Sequence, residues 1–230
     1  MHALPHLATA DWLALAAFFA CWAGYAWFSE HSHWGDGGLV RTSQRYRLEW
    51  ARRMLAREVR VADSTLIGNL MTSVSFYANT TIYIIAGLVA ALGASDKLLS
   101  VTAELPFGGV GNRELLEIKL MLVLASFVFA YFKFTWSLRQ FNLVSILVGA
   151  APEAKAGQGI DEDYARRVAG ANSLAGDDFN RGIRAYYFGL AASGWLLHPA
   201  MLGGLAITVL IVLYRRDFRS PALALLRDDA

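Results

Sequence analysis

Cysteine is almost absent: Cys21 is the only one among 230 residues, which excludes a disulfide framework and a cysteine-based zinc site within the chain. It lies inside an apolar run and reads as packing. No lysine or arginine precedes Arg41, so the first apolar stretch lacks the basic start of a cleavable signal peptide and is expected to be retained. Neither a G-x-S-x-G elbow nor a P-loop occurs, which removes most support for hydrolase and nucleotide-driven readings. Charge is scarce at 17%, against about 25% in soluble domains. The formal net charge is only +2, and no basic patch is interleaved with aromatics, so nucleic acid is not an expected partner. No cofactor is expected either.

What is abundant is apolar residue. The chain is 56% hydrophobic with a mean hydropathy of +0.37, which points to lipid as its solvent. A span uses about 20 residues, so this length suits one compact bundle. The expected fold is all-α: a polytopic transmembrane bundle forming a single domain over residues 1–230, with spans at about 11–28, 69–93, 115–136, 181–197 and 199–216. Asp11 sits at the start of the first, where it can cap the helix and complement its dipole. The second closes at Gly93. Its first half is rich in polar residues from Thr72 to Tyr83, which lipid does not welcome without partners. The third follows a loop holding Pro106, Gly108, Gly109 and Gly111, and its helical pattern runs from near Glu114 to about Val148, longer than a hydrocarbon core requires. In the last apolar region Pro199 disfavours helical geometry at His198 and suits a helix's first turn. That reads as two spans, the first beginning at the helix-start charges Asp177 and Asp178. One kinked helix, giving four spans in all, is the alternative.

Arginines 41, 45, 47, 52, 53, 57 and 60 crowd the connector after the first span. The positive-inside rule places that connector, residues 30–66, in the cytoplasm together with residues 149–180. The amino terminus then lies outside, and five spans put the carboxyl terminus with Arg215, Arg216, Arg219 and Arg227 inside. The inner membrane is the expected location.

Several groups invite a functional reading, each beside a plainer one. Arg41 to Arg60 reads as an amphipathic helix with Tyr46, Trp50 and Met54 on one side. Arg45, Arg52, Arg53 and Arg57 are its candidates for lipid-headgroup contact, although the segment also serves simply to set topology. Asn79, Thr80, Tyr83, Lys133 and Arg184 are candidates for a polar pathway, or for hydrogen bonds between helices. Lys119 and Lys133 are the charges nearest the membrane interior, with Glu114 or Glu117 as partners for the first and a tyrosine or carbonyl for the second, or with stems long enough to snorkel. Glu30, His31, His33 and Asp36 lack the spacing of a helical metal pair, and no metal site is expected. Asp161 to Arg167 reads as a short solvated helix.

Asn180 to Ser220, NRGIRAYYFGLAASGWLLHPAMLGGLAITVLIVLYRRDFRS, and Phe132 to Asn142, FKFTWSLRQFN, resemble the bacterial and plant membrane-protein family catalogued as domain of unknown function 599. The most telling pieces are RAYYF, with Arg184, Tyr186, Tyr187 and Phe188, and YRRDF, with Tyr214, Arg215, Asp217 and Phe218. The resemblance implies a helical polytopic membrane protein. It supplies no activity, substrate or catalytic residues.

The resulting reading is a non-enzymatic, self-associating membrane protein, a homo-oligomer in contact with membrane lipids, that either conducts or transports a small solute or ion or acts as a scaffold. The alternative is a membrane-embedded enzyme acting on a lipid or quinone.

Overall fold

The computed structural model describes residues 7–31, 38–103, 112–154 and 159–227. His33, Asp36 and the loop glycines at 108, 109 and 111 lie outside that range. Among the described residues there is no strand. The helices are α1 (Thr9–His31), α2 (Leu39–Leu55), α3 (Val61–Gly93), α4 (Ser95–Ala103), α5 (Arg113–Gly149), α6 (Glu162–Ser193), α7 (Pro199–Phe218) and α8 (Pro221–Arg227), with a 3-10 turn at Gly194–Leu196. Four stretches are long and apolar enough to cross a membrane: Thr9–Ser29, Val61–Gly93, Arg113–Gly149 and Pro199–Leu226. The chain is therefore a helical membrane protein. It divides into two compact units, and α3, α5 and α6 each contribute one part to either unit.

Local signals account for most helix ends. Asn112 accepts from the Leu115 N–H at 2.8 Å, Asp161 from Tyr164 at 2.9 Å and Ser220 from Leu223 at 3.2 Å, each satisfying a first-turn donor. Asp11 caps α1 from the helix's third position. Its Oδ2 reaches back to the Ala8 N–H at 3.2 Å, in the manner of a capping box. Between α6 and α7 the chain turns at Leu197 and His198, as the proline leads one to expect, and His198 Nδ1 accepts from the Ala200 N–H at 3.1 Å.

The first unit comprises residues 1–33, 81–130 and 183–216. Its core is built from Phe18 and Tyr25 of α1, Val123 and Phe127 of α5, Phe188 of α6, Trp195 of the 3-10 turn, and Leu202, Ala206 and Leu213 of α7; Ile84, Ile85 and Leu88 of α3 pack against it. The second part of α6 is well enclosed, with Ile183, Ala185, Phe188, Ala191 and Ala192 all buried, as is Trp195 of the 3-10 turn that follows. Small residues permit that enclosure. A Cβ added to Gly189 would lie 3.1 Å from the Phe127 ring, and one on Gly194 would lie 2.6 Å from Leu205. Between helices in lipid, where apolar burial gives little drive, such close approach supplies the attraction through dispersion.

The second unit comprises residues 34–80, 131–182 and 217–230. Ala51, Met54 and Leu55 of α2 meet Ile67 of α3, Val144 and Val148 of α5, and Ala165 and Val168 of α6 in an ordinary apolar core. α8 lies against α2, and the Tyr46 hydroxyl points to the Leu226 carbonyl at 3.4 Å.

Two expectations need correction. The arginine helix ends at Leu55 and not at Arg60, because Arg60 folds back to donate to the carbonyls of Met54 (3.3 Å), Ala151 (2.7 Å) and Pro152, occupying the acceptors left at the helix end. The second correction concerns α6. Asp177 and Asp178 do not start a helix; they lie inside one that begins at Glu162 under the Asp161 cap and absorbs the expected short helix. Asp178 is tolerated in mid-helix because cations and an amide on its own and the facing helix take up its oxygens.

Candidate functional site

In the second unit the arginine-rich connector turns largely inward on itself. Arg52 grips Glu162 of α6 through Nε at 3.0 Å and Nη2 at 3.1 Å, and that hydrogen bond raises the guanidinium pKa above its ordinary value. Arg53 pairs with Glu49 one helical turn away at 2.8 Å while staying mostly in solvent. Arg57 binds Asp63 Oδ1 at 2.5 Å, and Trp50 donates its indole N–H to the same oxygen at 2.9 Å. Asp63 is fully buried, and its other oxygen has no hydrogen-bond partner among the described residues. Of the four arginines expected at lipid headgroups, Arg45 alone is exposed without an ion pair among the described residues.

A second cluster in the same unit joins α5 to α6. Lys133 Nζ sits 2.9 Å from Asp178 Oδ1, Gln140 Nε2 2.6 Å from Asp178 Oδ2, and Arg181 3.4 Å from Oδ1. Ser137 donates to the Ala175 carbonyl at 2.7 Å. Tyr77 of α3 packs its ring on Phe134 and Phe179, with centroids 5.6 Å away in each case. Beyond the tyrosine or carbonyl expected for Lys133, the structure gives it a carboxylate, Asp178, which linear reading takes for a helix-start charge.

The first unit holds a third cluster. Asp11 Oδ1 accepts the Trp195 indole N–H at 2.7 Å, and Lys119 Nζ lies over the Trp195 ring, 5.7 Å from its centroid, a cation–π arrangement. All three side chains are buried, Lys119 being only 1% exposed, so it does not snorkel. Glu117 is engaged elsewhere, by Arg113 at 2.7 Å and Ser95 at 3.0 Å. Nothing in linear spacing ties Asp11 to Trp195, 184 positions apart.

The pathway candidates are divided between the two units. Asn79 is exposed, and Tyr83, on the same helix, is 77% exposed. Thr80 returns its hydroxyl to the Phe76 carbonyl at 2.8 Å. In the second unit Lys133 is held by Asp178, and in the first Arg184 donates to the Ser29 hydroxyl. No group of three His, Cys, Asp or Glu able to hold a metal occurs among the described residues.

No curated protein and no solved structure matches this chain. The family described as "Protein of unknown function, DUF599" matches residues 13–222, and the chain belongs to that family.

Proposed function

We propose that this protein is a self-associating scaffold of the bacterial inner membrane, with the outward face of α3 as the contact between copies. Asn79 carries the reading. It lies roughly 21 Å from the Gly93 end of α3 at 1.5 Å per residue, within reach of a hydrocarbon core of about 30 Å. Its side-chain amide is exposed and makes no hydrogen bond to a described residue. The neighbouring hydroxyls differ: Thr65, Thr72, Ser73 and Thr80 each bond the carbonyl one turn back and need nothing further. A lone amide facing lipid is unfavourable unless another polar group meets it. A second copy of the same helix would supply one.

Five crossings fit this reading, with α6 as the fifth despite its low hydropathy, since most of its apolar part packs against α1, α5 and α7. The arginine-rich α2 then belongs on the cytoplasmic side. Asp11 and Asp178 are buried and already carry donors, which argues against their use as acid or base in an enzyme. A solute route, if one forms, would run between copies along Asn79 and Tyr83.

The test is cysteine crosslinking in native membranes, in a Cys21→Ser background. Asn79→Cys is expected to give a disulfide-linked dimer, whereas Ile211→Cys, on the exposed side of α7, gives little. Equal crosslinking at both positions, together with a single copy per nanodisc, overturns the reading. Ion flux in proteoliposomes that disappears in Asn79→Ala would replace scaffold by conduit.

A further inference from the structure

The second unit carries a groove that neither the arginine pairs nor α3 self-association uses. It has a volume of about 470 Å³, within the range of about 300–1,000 Å³ that takes small molecules. One wall is the α2 face of Ser43, Tyr46, Arg47 and Trp50, which recur at helical spacing; the other is Leu66, Ile67, Leu70 and Ser73 of α3. Asn172 of α6 lines it as well. The apolar wall and a single cation, with no carboxylate in the lining, describe an amphiphile with a negative end.

The donors at that end are under-used. Arg47 is half-buried, and its one hydrogen bond goes to the Ser173 carbonyl at a long 3.5 Å, although a guanidinium has five N–H groups to place. Burial pushes its pKa below the ordinary value, with the charge of Asp177 on α6 acting the other way. Gly176 makes the arrangement possible, because a Cβ there would overlap the guanidinium. Asn172 is only 8% exposed, yet its side-chain amide makes no hydrogen bond to a described residue. Lining the groove, that amide is open to a ligand acceptor.

We propose that this groove binds one anionic phospholipid of the bilayer, its phosphate on Arg47 and Asn172 and an acyl chain along Leu66, Ile67 and Leu70. The phosphate only accepts hydrogen bonds, matching two groups that offer donors, and planar Arg–phosphate pairing is bidentate. The Trp50 ring also lines the groove, its N–H being given to Asp63.

Native mass spectrometry of the full chain, released from nanodiscs of equal dioleoyl phosphatidylglycerol and dioleoyl phosphatidylcholine, tests this. One phosphatidylglycerol is expected to stay bound at least tenfold more often than phosphatidylcholine. Arg47→Gln should cut that retention about tenfold and Asn172→Leu about threefold, while Arg45→Gln leaves it unchanged. Leu66→Trp fills the groove from an exposed position with Arg47 intact, and should also abolish retention. The proposal fails if both lipids are retained equally, if Arg45→Gln matches Arg47→Gln, if Leu66→Trp still holds the lipid, or if inorganic phosphate at millimolar concentration displaces it. None of these outcomes depends on whether copies associate through Asn79.

Discussion

Replacing Lys133 by methionine tests the ion pair that joins α5 to α6. Asp178 is nearly enclosed, its side chain 7% exposed, while Lys133 is 27% exposed. Removing one partner from a fully buried pair costs about 3–5 kcal/mol, because the other charge stays desolvated. Here the loss is smaller: Gln140 at 2.6 Å and Arg181 at 3.4 Å remain on the carboxylate, and the lysine is partly open to screening. About 1.5–3 kcal/mol is therefore expected for Lys133→Met. At about 2–4 °C per kcal/mol for a chain of this size, the midpoint should fall by roughly 3–12 °C. Thermal unfolding in detergent, followed by tryptophan fluorescence, reads it directly. Asp178→Asn should cost a comparable amount, since it removes the carboxylate that Lys133 and Arg181 share. The double variant should be less damaged than the sum, by about 1–2 kcal/mol of coupling. A shift below about 2 °C for Lys133→Met, or strictly additive single variants, would refute the view that this cluster locks α5 to α6.

Trp195→Phe keeps the ring near Lys119 but removes the N–H that Asp11 accepts at 2.7 Å. An unfolding loss of about 1–3 kcal/mol is expected, whereas Asp11→Asn, which retains an acceptor, should cost less. Gly182→Ala places a Cβ 2.5 Å from the Phe134 ring, and Phe134 is fully buried and cannot yield. Overpacking of about 1–3 kcal/mol should outweigh the gain in helix propensity. Gly24→Ala, which meets nothing within 4 Å, should unfold at or above the wild-type temperature.

The sequence disclosed the long helices well. α5 shows why: from Arg113 to Gly149 it has neither proline nor an internal glycine to interrupt the pattern. The turn at His198 and Pro199 was equally legible, being fixed by proline chemistry alone. α6 reads as two pieces because Asp177 and Asp178 look like helix-start charges, and only the facing Lys133 and Gln140 reveal why a helix carries Asp178 inside. The site was the least visible part. Arg47 is one arginine among seven in the connector, and what distinguishes it is Gly176 beneath it and Asn172 beside it, both from a helix more than 120 residues away in the chain. Asp11, Lys119 and Trp195 likewise come from three separate stretches, joined only by packing.

The tight connection at Leu197 and His198 also bears on how the protein enters the bilayer during synthesis. The apolar part of α6 carries Arg184, two tyrosines and many small residues, so alone it would partition poorly from the translocon into lipid. α7 follows after only five residues, three of them in the 3-10 turn, and is far more oily. If α6 crosses, the two must be delivered together as a preformed hairpin, with the later helix drawing in the earlier, and a long polar insertion at His198 would strand α6 on the wrong side of the membrane.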